Sequence, residues 1–579
     1  MTGIPRPASW PAKLLLAASL HHAVSHALAV PQTIIGSTTA ASRGAIATES
    51  FECSSIGRDL LSRGGNAADA LVGATFCVGV IGMYHSGIGG GGFALVRDAD
   101  GCYEAVDFRE AAGAAAYEDM FQGNVAGSVY GGLAVAVPSE VRGLEYIHEK
   151  YGALPWKTVM QGAINVARDG FKVSEDLIRY INKTVKGRPS NFLVEDPNWA
   201  QDFAPKGRLV QVGETMTRQR YANTLEEIAN HGADAFYTGD LATAMVKHIQ
   251  YHNGTLTTSD FASYKVLSRP VKNTTYRGID LYTVGAPASG SIALNILKTM
   301  EQYERPSDMT ASSAALTTHR LAEAMRFGYG ARAYLGDPNF VDGLDALETR
   351  LLDDAHARHT KARISDNHTL PVQAYDPERF ALPTSHGTSH LVTADASGMA
   401  TSLTTTVNLL FGAQIMEPGS GIILNNEMND FSIPHVPNQF GFEPSPANFI
   451  RPFKRPLSSI SPVIASLPAS GTLYATVGAA GGSRIISATA LSLWHTIGEG
   501  ATLRDALVRP RLHDQVMPNT VLLEEGFDEA VVAGLQSRGH NITWVAKGLS
   551  AVQGIRRRPD GAFEAVGEPR QGNSAGLTV

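Results

Sequence analysis

The sequence predicts a layered α/β sandwich, on three observations. Apolar residues recur at helical spacing in the first two thirds of the chain, short β-rich runs dominate the last third, and 44% of the 579 residues are hydrophobic against 18% charged. Disorder requires low hydrophobicity with high net charge, so this composition indicates a folded protein. The mixture of both element types fits packed layers better than a helical bundle or an all-β fold.

The helical pattern is clearest in residues 58–80, where Asn66 is placed to cap a helix that runs through Ala67–Ala70. Such caps matter because the first amides of a helix have no partner within the helix. Six further helices are predicted at 139–151, 157–169, 216–231, 239–251, 290–303 and 313–333.

Strands are predicted from short runs rich in β-branched and aromatic residues. These runs cover 93–97, 103–108, 279–284, 389–394, 399–407, 472–478, 520–524 and 541–545. Residues 352–386 are instead rich in His, Asp, Thr and Pro, which predicts an irregular, exposed linker leading into the strand that begins near Thr388.

Charge and local motifs exclude several function classes. The chain has 48 Lys and Arg against 55 Asp and Glu, a net charge of −7, which argues against nucleic acid as a partner. Residues 87–92 satisfy G-x-G-x-x-G, but a helix precedes and a strand follows, so we interpret them as a tight turn and not a dinucleotide site. Neither a Gly-x-Ser-x-Gly elbow nor a His-Glu-x-x-His motif is present, and the histidines lack the spacing of metal ligands.

The first 29 residues predict a secretory signal peptide. Lys13 precedes the apolar run Leu14–Leu20, and Ala27-Leu28-Ala29 has the small-residue form that signal peptidase accepts. The alternative is an uncleaved membrane anchor, although the run is shorter than the ~20 residues of a spanning helix. We expect passage through the secretory pathway, to the exterior or a vacuole.

Asparagine sequons and cysteines fit the same compartment. Three cysteines, Cys53, Cys77 and Cys102, allow one disulfide and one free thiol, or three buried thiols; spacing alone does not decide. Candidate glycosylation sites are Asn182, Asn253, Asn273, Asn367 and Asn541, each followed two positions later by Thr.

Residues with catalytic potential fall in six short stretches. They are Asp107–Glu110 (DFRE), Gly387–His390 (GTSH), Thr404–Asn408 (TTTVN), Asn425–Asp430 (NNEMND), Pro456–Ser459 (PLSS) and Ala480–Ser483 (AGGS). In this order and spacing, the stretches resemble the γ-glutamyltransferase (glutathione hydrolase) family of N-terminal nucleophile hydrolases. The resemblance covers essentially all of the chain after residue 29, and it implies a four-layer αββα sandwich.

Thr388 is the nucleophile that the resemblance implies. A threonine hydroxyl needs an adjacent base, and a free α-amino group with a pKa near 7.7–8.0 is a suitable one. The resemblance implies autocatalytic cleavage between Gly387 and Thr388 into a heavy chain, 30–387, and a light chain, 388–579, that together form one fold. Thr406 is then expected to hydrogen-bond the Thr388 hydroxyl. The amides of Gly481 and Gly482 are expected to bind the oxyanion.

A γ-glutamyl group carries an α-carboxylate and an α-ammonium, and both must be held to place its carbonyl. Arg109 is expected to bind the carboxylate with help from the Ser458 and Ser459 hydroxyls. The ammonium is expected to bind Glu427, Asp430 and the Asn408 amide.

The implied reaction transfers the γ-glutamyl group of glutathione or a glutathione S-conjugate to water or to an amino-acid or dipeptide acceptor. No metal or organic cofactor is implied. Rival interpretations are a relative that acts on a β-lactam side chain or on one specialised-metabolite glutathione adduct, and an unprocessed, inactive binding protein. The sequence departs from the family pattern at Gly113, Val392, Met399 and Thr401, and the last three bear on packing and self-cleavage. The family disulfide corresponds to Cys53 and Cys77.

Overall fold

We describe a computed structural model of the chain that covers residues 43–188, 190–304, 310–381, 387–436 and 443–579. The predicted signal peptide, residues 1–29, lies outside the described residues. Within them, no helix has the length and apolarity needed to cross a membrane.

Eighteen α-helices form in the described residues. They are α1 (Phe51–Ser62), α2 (Ala67–Ile81), α3 (Glu140–Tyr151), α4 (Trp156–Asp169), α5 (Glu175–Val185), α6 (Phe192–Glu195), α7 (Pro197–Phe203), α8 (Gln219–His231), α9 (Asp234–Tyr237), α10 (Asp240–Tyr251), α11 (Thr258–Ser263), α12 (Gly290–Glu301), α13 (Ala311–Arg332), α14 (Leu344–Leu351), α15 (Asp354–Arg363), α16 (Arg484–Leu493), α17 (Leu503–Val508) and α18 (Glu529–Gln536). A π-helical turn, Trp494–Gly498, continues α16.

Twenty strands form in the same residues. They are β1 (Gly44–Thr48), β2 (Gly91–Arg97), β3 (Tyr103–Phe108), β4 (Phe171–Lys172), β5 (Thr215–Met216), β6 (Leu267–Arg269), β7 (Val271–Tyr276), β8 (Ile279–Val284), β9 (Phe380–Ala381), β10 (Ser389–Asp395), β11 (Ala400–Thr406), β12 (Glu443–Pro444), β13 (Val463–Ser466), β14 (Leu473–Ala480), β15 (Leu512–His513), β16 (Val521–Glu524), β17 (Ile542–Val545), β18 (Ala551–Arg557), β19 (Phe563–Val566) and β20 (Ala575–Thr578).

Two antiparallel sheets form the centre of the fold. The first has the strand order β20-β1-β10-β11-β2-β3-β6, and the second has the order β19-β18-β14-β13-β8-β7. Side chains alternate across each strand, so Ala94 and Val96 of β2 face a core shared with α1–α4, whereas Phe93 and Leu95 face the second sheet. Helices α12, α13 and α16 cover the second sheet. The expected four-layer αββα sandwich is therefore confirmed.

The predicted helix at 58–80 is two helices, because Gly64 and Gly65 separate α1 from α2. Asn66 caps α2 as predicted, and its side chain accepts from the Ala68 and Asp69 amides. A disulfide between Cys53 and Cys77 joins the two helices, and Cys102 is free and exposed.

The interpretation of 352–386 as an irregular linker was wrong for much of its length. Helix α15 occupies residues 354–363, and its side chains at Ala357 and Thr360 are buried. These two residues, three positions apart, form a narrow buried stripe on an otherwise polar helix, which composition alone conceals. Residues 382–386 lie outside the described residues.

The glycine-rich residues 87–92 lead from the loop after α2 into β2, which confirms the turn interpretation. A side chain at Gly90 or Gly92 would collide with the carbonyl oxygen of Thr406 or Thr404 in the neighbouring β11. The glycines therefore let β2 lie directly against the strand that carries Thr406.

Candidate active site

Thr388 and Thr406 lie at the open ends of one β-hairpin. Thr388 directly precedes β10, the third strand of the seven-stranded sheet, and Thr406 is the last residue of β11. The antiparallel register pairs Ser389 with Thr405, so Thr388 falls opposite Thr406. Thr388 is 6% exposed. The hairpin thus brings Thr388 and Thr406 together, but the Thr406 hydroxyl donates to the Gly387 carbonyl oxygen and not to the Thr388 hydroxyl as expected.

The carbonyl oxygen of Gly387 accepts two hydroxyl hydrogen bonds. One comes from Thr388 itself, and Thr406 Oγ1 donates the other at 2.7 Å. A Cβ on Gly387 would collide with the carbonyl oxygen of Asn408 and lie 3.0 Å from Cβ of His85. The residue before Thr388 is therefore restricted to glycine by its packing.

A buried hydrogen-bonded pair beside Thr388, His85 and Glu49, was not predicted from the sequence. His85 Nε2 lies 2.9 Å from Glu49 Oε2, and Ser389 Oγ donates to Glu49 Oε1 at 2.8 Å. The backbone also connects this pair to the hairpin, because the Val407 amide donates to the His85 carbonyl oxygen at 3.1 Å. Glu49 and His85 therefore hold the residue after Thr388 and the residue after Thr406 in place.

Gly481 lies beside Thr388 at the end of a strand of the second sheet, and Gly482 follows it in the chain. They follow the last residue of β14 and precede α16, with positive φ angles of 130° and 62°. Thr388 and Gly481 line one cavity of about 170 Å³. The N-terminus of a helix favours negative charge, so this position suits a developing oxyanion.

Asn408 connects the hairpin to the predicted zwitterion clamp. Its amide donates to Thr406 Oγ1 at 2.7 Å, and its side-chain Nδ2 donates to the carbonyl oxygen of Asn426 at 3.0 Å. Asn408 Oδ1 is buried without a partner among the described residues. A hydrogen-bonded path therefore runs from Thr406 to the residue that precedes Glu427.

Arg109 lies at the centre of the clamp and is 1% exposed. Its guanidinium donates to Glu427 Oε1, to Asp430 Oδ2 at 2.6 Å and to the Leu457 carbonyl oxygen at 3.4 Å. The predicted holders of the two substrate charges therefore contact one another. A bound carboxylate would share the guanidinium with two protein carboxylates, which an incoming ammonium would help to balance.

Three carboxyl groups surround this single guanidinium. Glu110 Oε2 lies 3.7 Å from Arg109 Nη1, and both Glu110 and Glu427 are fully buried. Burial raises the pKa of Glu110 to about 7 and raises the pKa of Glu427 well above its ordinary value. Both side chains therefore tend to hold a proton in the empty site, and an incoming ammonium would favour their ionised forms.

Ser458 and Ser459 directly follow the backbone that Arg109 contacts. The Ser458 hydroxyl accepts from the Ile460 amide at 3.2 Å and keeps its own proton to donate. A further cation, Arg332, donates to Ser289 Oγ at 3.1 Å, while Ser289 donates to the Ser458 carbonyl oxygen at 2.5 Å. Burial lowers the pKa of Arg332 to about 10. Sequence reasoning missed Arg332 because it belongs to α13, far from the motif stretches.

Residues that support Arg109 were also missed. Asp107 Oδ1 accepts from the Arg109 amide at 2.9 Å and forms ion pairs with Arg269 and Arg455. Tyr264 donates its hydroxyl to the Arg109 carbonyl oxygen at 2.7 Å. The DFRE stretch drew attention to Asp107 in the sequence. Its partners Arg269 and Arg455 could not be identified there, because they come from distant parts of the chain.

The positions that depart from the family pattern lie in well-packed surroundings. Thr401 Oγ1 lies 2.6 Å from Thr393 Oγ1, so its hydroxyl has a partner inside the sheet. Val392 is fully buried in β10, and Met399 lies in the β10–β11 turn. A Cβ on Gly113 would lie 2.5 Å from Leu256 Cδ2, so a side chain at this position would force Leu256 to move.

A possible metal-binding group, His319, Glu323 and His540, occurs elsewhere among the described residues. His319 Nδ1 and His540 Nε2 are 2.7 Å apart and hydrogen-bond each other. None of the three lines the Thr388 cavity.

Comparison with known proteins gives a consistent result. The family model described as Gamma-glutamyltranspeptidase matches residues 53–578. A glutathione hydrolase proenzyme of Arthroderma benhamiae is 49% identical over 93% of each chain. The crystal structure of cephalosporin acylase from Bacillus halodurans superposes with a TM-score of 0.80 at 25% identity, over 94% of this chain and 98% of that one. Gamma-glutamyltranspeptidase from Helicobacter pylori gives a TM-score of 0.52 at 30% identity, over 58% of this chain and 95% of that one.

The family match spans every stretch that forms the predicted site, and all of the sandwich except β1 and the first residues of α1. The chain therefore belongs to the gamma-glutamyltranspeptidase family of glutathione-hydrolysing enzymes.

Proposed function

We propose that the protein is a secreted glutathione hydrolase that activates itself by cleaving the bond between Gly387 and Thr388. The observation that carries the proposal is the Gly387 carbonyl, which accepts from the hydroxyls of both Thr388 and Thr406. The Thr388 oxygen thus lies beside the carbonyl group that it would attack. The name proenzyme, given to the Arthroderma relative, supports the same idea.

Self-cleavage follows from this geometry in two steps. Thr388 Oγ1 attacks the Gly387 carbonyl carbon, the C–N bond breaks, and the hydroxyl proton passes to the Thr388 nitrogen, which leaves an ester. Water then hydrolyses the ester and releases a Gly387 carboxylate and a free Thr388 amino group. Thr406 polarises the carbonyl throughout by its hydrogen bond.

The freed amino group then acts as the base for turnover. It takes the Thr388 hydroxyl proton while Oγ1 attacks the γ-glutamyl carbonyl, with Gly481 and Gly482 near the oxyanion. The C–N bond breaks, the amine departs with the proton, and a γ-glutamyl ester remains on Thr388. Water or the amine of an amino acid or dipeptide resolves the ester to glutamate or a new γ-glutamyl amide. The clamp of Arg109, Asn408, Glu427, Asp430, Ser458 and Ser459 holds the glutamyl zwitterion.

Secretion and glycosylation are part of the proposal. The apolar run near Lys13 and the small residues Ala27–Ala29 support a cleaved signal, and the Cys53–Cys77 disulfide suits an oxidising compartment. All five sequon asparagines, Asn182, Asn253, Asn273, Asn367 and Asn541, are exposed and accessible to modification.

The test compares wild type with Thr388→Ala and Thr388→Ser. Wild type should give two bands on a denaturing gel, the smaller containing 192 residues, and should release nitroaniline from γ-glutamyl-p-nitroanilide. Thr388→Ala should stay in one band without activity, while Thr388→Ser should retain slower cleavage. One uncleaved, inactive wild-type band would instead support a binding protein.

A second candidate, hydrolysis of a β-lactam side chain, is favoured by the likeness to cephalosporin acylase. Glutaryl-p-nitroanilide distinguishes the two activities, because it differs from γ-glutamyl-p-nitroanilide only in lacking the α-ammonium. A γ-glutamyl enzyme should strongly prefer the γ-glutamyl anilide, whereas an acylase that ignores the ammonium should hydrolyse both at similar rates.

A further inference from the structure

The cavity at Thr388 lies outside the zwitterion clamp. It is lined by Thr388, Gly481, His85, Tyr180, Lys183 and Arg484, among others, whereas Arg109, Glu427 and Ser458 do not line it. Its volume of about 170 Å³ equals roughly six water molecules at ~30 Å³ each, enough for a group of amino-acid size. Since the clamp holds the acyl part of the substrate, this cavity is placed to take the amine part.

Two cations line this cavity without an acidic partner. Lys183 on α5 forms no ion pair or hydrogen bond with any residue that the structure describes. The Arg484 side chain donates one hydrogen bond among the described residues, from Nη1 to the Gly481 carbonyl oxygen at 3.4 Å. Its Nε is buried without a partner among those residues. By contrast, the nearby Arg179 pairs with Asp176 at 2.8 Å. Arg484 is partly buried, and buried charges in proteins are usually paired, so Arg484 with the neighbouring Lys183 invites an anion.

The other charged groups at the cavity do not neutralise them. Glu49 contacts the lining residue His85, and its two oxygens already interact with His85 and Ser389. Burial, together with repulsion from Arg484 and Arg179, lowers the pKa of Lys183. The first turn of α16 adds the positive end of a helix dipole beside Arg484.

We propose that Lys183 and Arg484 form a carboxylate subsite for the amine side of the reaction. This inference rests on the proposed function. The subsite would bind the C-terminal carboxylate of the leaving amine, which in glutathione belongs to glycine. After that amine departs, the same subsite would bind the carboxylate of an incoming amino acid or peptide. The subsite would therefore select donors whose leaving amine carries a carboxylate, and acceptor amines that carry one.

The test measures kcat/KM for glutathione and for glutathione amidated at its glycine carboxylate. Wild type should prefer the acid, and rising salt should weaken the preference because the subsite is partly exposed. Lys183→Met should lower the acid-to-amide ratio about tenfold, and Lys183→Glu should lower it further. Arg484→Gln should also lower the acid-to-amide ratio. Lys186→Met is the matched control, since Lys186 follows α5 and does not line the cavity.

Each outcome decides the proposal. An unchanged acid-to-amide ratio in Lys183→Met, with normal chain cleavage on a gel, would overturn the subsite while leaving the hydrolase intact. No wild-type release from glutathione, its amide or γ-glutamyl-p-nitroanilide would refute the proposed function and the subsite with it. Because Lys183 is exposed, its variants test the idea even if Arg484→Gln fails to fold.

Discussion

Thr406 Oγ1 donates a 2.7 Å hydrogen bond to the carbonyl oxygen of Gly387, the bond partner of Thr388. This oxygen gains negative charge when Thr388 attacks, so the hydrogen bond strengthens in the transition state. Thr406→Val keeps the side-chain shape and removes the donor. We expect self-cleavage to slow about a hundredfold, the usual effect of losing one oxyanion donor. The time course of the two-band pattern measures this rate.

Thr401→Val is the control for Thr406→Val. It also removes a buried hydroxyl from β11, but one that pairs with Thr393 and not with Gly387. Its cleavage rate should stay within a few-fold of wild type. Equal rates in Thr406→Val and wild type would show that the hydrogen bond does not assist cleavage.

Glu427→Gln tests whether Glu427 recognises the substrate ammonium. The amide oxygen can still accept from Arg109, but the side chain can no longer ionise when an ammonium binds. We expect KM for γ-glutamyl-p-nitroanilide to rise about tenfold, because one ionic partner of the ammonium disappears. KM for the glutaryl anilide, which has no ammonium, should change little. Equal increases for both substrates would mean that Glu427 does not recognise the ammonium.

Much of the fold and the site was predictable from sequence, because the decisive signals are local. Periodicity located α3, α4, α12 and α13 to within a few residues, and the strand-like runs located the β10–β11 hairpin that carries Thr388 and Thr406. A hairpin joins residues close in sequence, so its partners can be inferred from spacing alone.

The remaining site residues depend on long-range pairing. Glu49 follows β1, which reaches Thr388 only because β1 pairs with β10 across more than 300 positions. Lys183 lies on a surface helix, and its neighbour Arg484 begins α16 on the other sheet. Hydrophobic periodicity reports which residues pack into a core, and it does not detect Lys183 or Arg484 because both line a cavity.

The Cys53–Cys77 disulfide should stabilise the heavy part of the fold. It closes a loop with a sequence separation of 24 and ties α1 to α2. The chain-entropy estimate for such a loop is about 3 kcal/mol. The double variant Cys53→Ala/Cys77→Ala should therefore melt at a lower temperature in calorimetry. Cys102→Ser, at the exposed free thiol, should melt like wild type. Identical melting of the double variant and wild type would contradict the prediction.

Glu140 should make stability depend on pH. Burial raises the pKa of Glu140 to about 8, while Thr405 donates its hydroxyl to the carboxyl. An unfolded glutamate has a pKa of about 4.3. Between these values the folded state binds a proton that the unfolded state lacks, so the free energy of unfolding falls as pH rises and levels off above about 8.

Glu140→Gln stays neutral at every pH and should remove this contribution. Between about pH 5 and pH 8.5, we expect the melting temperature of the variant to fall less than that of wild type. The two plots of melting temperature against pH should therefore diverge as pH rises. Glu525→Gln, at an exposed position, is the control and should follow wild type. Because Glu110 and Glu427 also have raised pKa values, the variant should keep part of the slope. Parallel melting curves for Glu140→Gln and wild type would show that the Glu140 carboxyl does not titrate in this range.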